Sequence, residues 1–244
     1  MSVEVLTIPS GRYSLAAVCH TPMGDGPFAT VVACHGLLSS KSSRKYLQLA
    51  EIAVAAGLAF VRFDFRAIGG STGGPEAITL SGRLEDARAV LGFLKSYLPA
   101  DASRVGLMGS SLGGVVACAT ALAEPSVGAT AVWSTPYDLY GLLSRRGQPG
   151  TEGLAPLPEA FFEDLEGHPL LELPGGQSRV LIIHGQADEV VPVAHAHRLF
   201  AQAEEPKRLI ILPGVDHRLK DPDHRQRAAE ATVQWFAAML GKSG

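Results

Sequence analysis

The strongest constraint on this chain is an alternation. Short apolar runs rich in β-branched residues are separated by longer stretches with helical periodicity. Such a chain buries its strands in a mostly parallel sheet covered by helices on both faces. The pattern predicts eight strands, at Val3 to Ile8, Tyr13 to Cys19, Thr30 to Cys34, Leu58 to Asp64, Arg104 to Met108, Ala129 to Trp133, Arg179 to His184 and Lys207 to Leu212. Helices are predicted at Lys45 to Ala56, Leu80 to Tyr97, Leu112 to Leu122, Val193 to Ala203 and Ala228 to Leu240. The first two strands lack a helix between them and should form an antiparallel hairpin. The expected fold class is therefore α/β, with residues 1–244 in one domain. One connection, Pro136 to Ser178, is far longer than an ordinary link and is expected to be a lid inserted into that domain. It holds a turn-rich joint, RRGQPGTEG, and a helical-looking LPEAFFEDL.

Charge narrows the partners. Lys and Arg number 21 against 24 Asp and Glu, a net charge of −3, with no basic run to track a phosphate backbone or a membrane surface. Nucleic acid and membrane are excluded as expected partners, leaving a small neutral or weakly charged molecule. Cys19, Cys34 and Cys118 lack metal-site spacing and lie in apolar surroundings, which points to a reducing compartment. The start, MSVEVLTIPSGRYSL, carries no charged leader before an apolar core, and no apolar run approaches the roughly 18 residues of a membrane span. A cytoplasmic protein is expected.

The stretch GLMGSSLGG bears the chemistry. In an open parallel sheet ligands gather at the carboxyl ends of strands, and this segment follows one. A Gly-x-Ser-x-Gly pattern puts a serine on a sharp strand-to-helix turn and leaves room for the helix to pack closely. Only Ser111 has glycines at both flanking positions; taking Ser110 would put Met108 and Leu112 there. Ser110 is read as shaping the turn. A serine hydroxyl needs a base and a group to orient that base. Two later post-strand loops supply them: HGQADEVVP with Asp188, and GVDH with His217.

Together, His35-Gly36 after the third strand, Asp64-Phe65-Arg66 after the fourth, the Ser111 elbow, HGQADEVVP and the final histidine resemble the α/β-hydrolase-fold serine hydrolases over nearly the whole chain. HGLLSSK and VRFDFRAIGGSTGG further resemble small bacterial carboxylesterases of the cinnamoyl or feruloyl esterase and serine-aminopeptidase-like group, although Ala67-Ile68-Gly69-Gly70 departs from the glycine that group often has after the arginine. The resemblance implies Ser111 as nucleophile, His217 as general base and acid, and Asp188 as its orienter, with oxyanion-hole N–H groups from Leu37 and Leu112. It implies no cofactor and no metal, and no HExxH or carboxylate cluster suggests one. Tyr137, Tyr140, Phe161 and Phe162 of the insertion are the expected substrate-binding residues. The expected activity is hydrolysis of small to medium acyl or aryl esters through an acyl-enzyme. The same triad could serve a peptidase, thioesterase or carbon–carbon hydrolase. A non-catalytic ligand receptor of the same fold is the remaining alternative, against which the intact triad argues.

Other titratable residues are assigned plainer roles. His20, His168, His195, His197 and His224 lack post-strand placement, and His195 with His197 is expected on a solvated helix face. His35 should order the oxyanion loop, and His184 is read as structural. Asp188 is favoured over Asp216, which adjoins His217 directly. Asp64 and Arg66 are expected to brace a loop as a pair.

Overall fold

A computed structural model describes residues 1–37, 39–97, 99–144, 157–167 and 175–241. Its eight strands are β1 (Ser2–Ser10), β2 (Tyr13–Thr21), β3 (Phe28–Cys34), β4 (Ala59–Phe63), β5 (Ala100–Ser110), β6 (Val127–Trp133), β7 (Val180–Gly185) and β8 (Lys207–Leu212). They lie in the order β1-β2-β4-β3-β5-β6-β7-β8. The hairpin β1/β2 and the β2/β4 pair are antiparallel, and every later pair is parallel. This is the α/β-hydrolase sheet. Because the chain leaves β3 for β4 on one side and returns to β5 on the other, the strand order reverses at β3. Such a reversal opens a crevice above the carboxyl ends of the neighbouring strands.

The helices are α1 (Arg44–Ala55), α2 (Leu80–Leu94), α3 (Leu112–Ala123), α4 (Leu139–Leu143), α5 (Glu159–Glu166), α6 (Ala194–Gln202) and α7 (Pro222–Leu240). Strand periodicity divides the core between the two faces. On β3, Ala29, Val31 and Ala33 join the cluster under α1 and α7, whereas Val32 and Cys34 join the cluster under α2, α3 and α6. The last helix begins at Pro222, six residues ahead of the predicted Ala228, because the Asp221 side chain accepts from the His224 N–H and caps it at 2.9 Å. Among the described residues no helix is long and apolar enough to cross a membrane.

Within the insertion, α4 and α5 are described, while all of RRGQPGTEG and His168 lie outside the described residues. Helix α5 docks on the domain. Its Asp164 carboxylate accepts from the Ser81 N–H at 2.9 Å, at the start of α2.

Candidate active site

Ser111 follows the last residue of β5 and precedes α3, and its backbone is turned to φ 55°, ψ −128°. A positive φ at a non-glycine residue costs free energy and persists only where surrounding structure imposes it. Here the constraint is packing: a Cβ at Gly109 would collide with the Gly113 carbonyl, and one at Gly113 with the Cys34 carbonyl. The helix therefore starts pressed against the strands, with Ser111 at the bend. Ser110, one residue earlier, is extended, buried, and accepts a hydrogen bond from Lys45 Nζ at 2.9 Å. Ser111 Oγ has no hydrogen-bond partner among the described residues, His217 included. In an unliganded site that bond is commonly longer and tightens when substrate binds.

Asp188 and His217 do meet. The ring Nδ1 of His217 lies 3.0 and 2.9 Å from the two carboxylate oxygens of Asp188. Since the carboxylate only accepts, Nδ1 carries the proton and Nε2 is left with its lone pair. Asp188 is itself fixed by the N–H groups of Val190 and Val191, at 2.9 and 2.7 Å. Its burial would raise its pKa, but hydrogen bonds from His184, His217 and the Val191 N–H outweigh that and hold it well below the usual carboxylate range. It is thus a charged acceptor at working pH. Asp216 turns away, to the Lys220 N–H at 3.0 Å and the Lys220 ammonium at 3.1 Å.

His184 is more than a strand-end residue. Its Nε2 lies 2.8 Å from the Val191 carbonyl and 3.2 Å from Asp188 Oδ2, so the carboxylate sits between two imidazoles. The signal was available: His184 and Asp188 flank one turn at a spacing of four within HGQAD.

The loop after β3 reaches the elbow through Gly36, where an added Cβ would stand 3.4 Å from Ser111 Cβ. The same Cβ would stand 3.1 Å from the Ser110 carbonyl oxygen, so the loop packs tightly against the elbow. The Leu37 and Leu112 N–H groups make no hydrogen bond among the described residues. His35 holds the loop: Phe65 N–H donates to its Nε2 at 3.1 Å, so Nδ1 carries the proton and donates to the Gly36 carbonyl at 2.7 Å. Burial, helped by the Arg83 charge, pushes this ring down to about 3, keeping it neutral.

Asp64 and Arg66 do not pair with each other. Asp64 accepts from the Lys41 ammonium, the Lys41 N–H at 2.7 Å and the Gly70 N–H at 3.0 Å. Arg66 instead clamps Asp86, with Nε and Nη2 at 2.9 and 2.7 Å from one oxygen. Both brace post-strand loops, but through partners far along the chain. His195 is likewise not simply solvated: its Nδ1 faces the Tyr137 N–H at 3.2 Å.

The aromatic residues of the insertion divide. Phe161 is 0% exposed and belongs to the main core cluster, which corrects its expected contact with substrate: its ring supplies the apolar face that docks α5. Phe162 is half-buried against that cluster, edge-on to Phe161 at 5.9 Å. Tyr137 is buried and covered by the Arg198 guanidinium, 4.7 Å from its ring centre. Tyr140 is exposed. Among the described residues, no cluster of His, Cys, Asp or Glu could hold a metal ion.

This sheet order, with a strained serine after β5 and an Asp–His pair after β7 and β8, defines an α/β hydrolase. Residues 81–243 match the prolyl oligopeptidase family, and the chain belongs to it. It is 34% identical over 208 residues to an uncharacterized protein of Mycobacterium tuberculosis, a match covering 84% of this chain and 66% of that protein. The chain thus spans just under two thirds of that relative's length. It is 27% identical over 218 residues to the mitochondrial palmitoyl-protein thioesterase ABHD10 of Rattus norvegicus, covering 81% of this chain and 69% of the relative. The structure of Est1E from Butyrivibrio proteoclasticus with ferulic acid bound superposes with a TM-score of 0.84 at 20% identity, over 97% of this chain and 100% of that one. At that identity the likeness is one of fold.

Proposed function

We propose that this protein is a serine hydrolase of small to medium acyl or aryl carboxylic esters. Ser111 Oγ adds to the ester carbonyl carbon while His217 Nε2 takes its proton. The carbonyl π electrons move to oxygen, where the Leu37 and Leu112 N–H groups receive the charge. Collapse of this intermediate breaks the carbon–oxygen bond to the leaving alcohol, which takes its proton from His217. A water molecule, deprotonated by the same ring, then adds to the acyl-serine, and the carboxylic acid departs as Ser111 regains a proton. Asp188 fixes the tautomer and stabilises the imidazolium in both halves. The sequence requires no cofactor, and the expected partner is the ester itself, in the cytoplasm.

The supporting observation is one forced serine bend at the same sheet edge as an imidazole whose Nδ1 is committed to a buried carboxylate. A phosphonate ester should label Ser111 stoichiometrically, and activated aryl esters should turn over. Absence of both in folded protein would leave the non-catalytic receptor reading. Thioester cleavage is the second reading, favoured by the thioesterase relative. A panel of p-nitrophenyl esters, an aryl-acid methyl ester, an acyl thioester and a peptide amide separates the two, because the preferred bond shows the highest kcat/KM.

A further inference from the structure

Two cations beside this site have no carboxylate partner among the described residues. Arg83, on the buried face of α2, is 1% exposed, yet its Nε and Nη2 have no hydrogen-bond partner among the described residues. Its Nη1 donates to the His35 carbonyl at 3.3 Å, and its guanidinium lies 4.6 Å from the centre of the Phe65 ring. Asp86, the acid that acts on it most, is already engaged by Arg66 and Ser10. Lys45, at the start of α1 on the opposite face of the sheet, is half-buried and donates to Ser110 Oγ. Asp216, whose charge also reaches it, is taken by Lys220.

Other buried or half-buried cations have their donors engaged: Lys41 has Asp64, Arg66 has Asp86 and Glu85, and Arg104 has Asp101, while Arg62, Lys207 and Arg225 donate to imidazole, amide or carbonyl acceptors. An unpaired buried charge with orphaned donors destabilises a fold, and an apolar side chain of similar volume is commonly better tolerated there. Stability therefore does not account for Arg83. Placement does. His35 stands two residues before Leu37, and Ser110 two residues before Leu112. Each cation therefore holds the residue two positions ahead of one oxyanion amide, and the two approach the strand-order reversal at β3 from opposite faces.

We propose that Lys45 and Arg83 are positioning residues of the oxyanion site, which fix the two donor segments and hold a positive potential where negative charge develops. This rests on the hydrolase reading given above. Neither touches the reacting atoms. Preorganised charge in a water-poor site stabilises an oxyanion without reorganising when it forms, so its effect belongs to the transition state. Burial pushes Arg83 down to about 10, with Asp86 opposing, so it stays charged near neutrality. Burial and the charges of Arg218 and Arg225 push Lys45 down to about 8, and Asp216 opposes them.

The test compares Arg83→Met and Lys45→Met with the charge-keeping Arg83→Lys and Lys45→Arg, in the full chain. Thermal midpoint, phosphonate labelling of Ser111, kcat and KM on p-nitrophenyl acetate, and affinity for a trifluoromethyl ketone, which adds Ser111 as an oxyanion, are measured. The expected result for each Met variant is a kcat roughly tenfold or more below wild type with KM unchanged, and ketone affinity falling by the same factor. Arg83→Met should keep or raise the thermal midpoint, and the charge-keeping variants should regain most of kcat. Unchanged kcat in folded Met variants overturns the proposal. So does a kcat loss matched by a lower midpoint and not regained with the charge. A loss confined to KM for an ester bearing a carboxylate overturns it too, because Lys45 would then read substrate charge. If the Met variants do not fold, Arg83→Gln and Lys45→Gln decide, and wild-type kcat in them overturns it. A wild-type protein that neither labels nor turns over ester fails the underlying hydrolase reading instead.

Discussion

Asp188 meets His217 Nδ1 with both carboxylate oxygens, at 3.0 and 2.9 Å, while Asp216, adjacent to the histidine in sequence, faces Lys220. Neighbouring residues on a turn point different ways, so the acid comes from 29 positions upstream. Asp188→Asn presents an amide that can turn a donor toward Nδ1 and select the wrong tautomer. It should lower kcat by roughly 10⁴ with the fold intact. Asp216→Asn should retain most activity. Equal losses in the two variants would move the acid's role to Asp216.

The elbow separates two adjacent serines. Ser111 carries the positive φ, and Ser110 Oγ is occupied by Lys45. Ser111→Ala should remove turnover of an activated aryl ester by about 10⁶, the scale set by loss of a nucleophile in serine proteases. Ser110→Ala should keep far more, losing at most the share that its hydrogen bond to Lys45 supplies. Phosphonate mass shift on a peptide containing both residues, mapped by fragmentation, assigns the nucleophile directly.

The two phenylalanines of α5 should respond differently. Phe161→Ala empties a site in the core and should cost about 3–5 kcal/mol of stability by denaturant unfolding. Phe162 is half-buried at the edge of the same cluster. Its replacement by Ala should instead reorder acyl and aryl substrates, through contacts worth roughly 1–3 kcal/mol. An unchanged ranking across the ester panel would leave Phe162 a packing residue only.

Much of the fold was legible because strand and helix periods differ and β-branched runs mark buried strands. Each of the eight predicted strands has a counterpart within a few residues. Chain order alone put Ser111, Asp188 and His217 after three different strands, where the structure has them. Periodicity carries no information about which distant charges will pair. Asp64 therefore met Lys41, and Arg66 met Asp86, each a partner 20 or more positions away along the chain. Arg83 and Lys45 were invisible for a similar reason: each sits in an ordinary helical pattern, and only its contact with His35 or Ser110 distinguishes it. Phe161 was misread because an apolar face that docks a helix and one that lines a pocket look alike in sequence.

Acid should weaken this fold at identifiable carboxylates. Burial would raise the pKa of Asp64, but the hydrogen bond from Lys41, the N–H groups of Gly70 and Lys41, and the Lys41 charge hold it below the usual range. Asp188 is depressed in the same direction by its histidine and backbone partners. A carboxylate whose folded pKa is lowered binds fewer protons than in the unfolded chain, where aspartate titrates near about 3.9. Its contribution is therefore complete above that value and is lost as pH falls toward the lower folded value. Urea unfolding followed from pH 7 downward should show stability changing little from these groups until about pH 5, then falling steeply below about pH 4. Asp64→Asn should start lower at pH 7, because the Lys41 ammonium loses its partner, and its acid slope should be shallower. An equal slope in variant and wild type would mean that Asp64 is not a source of the acid dependence.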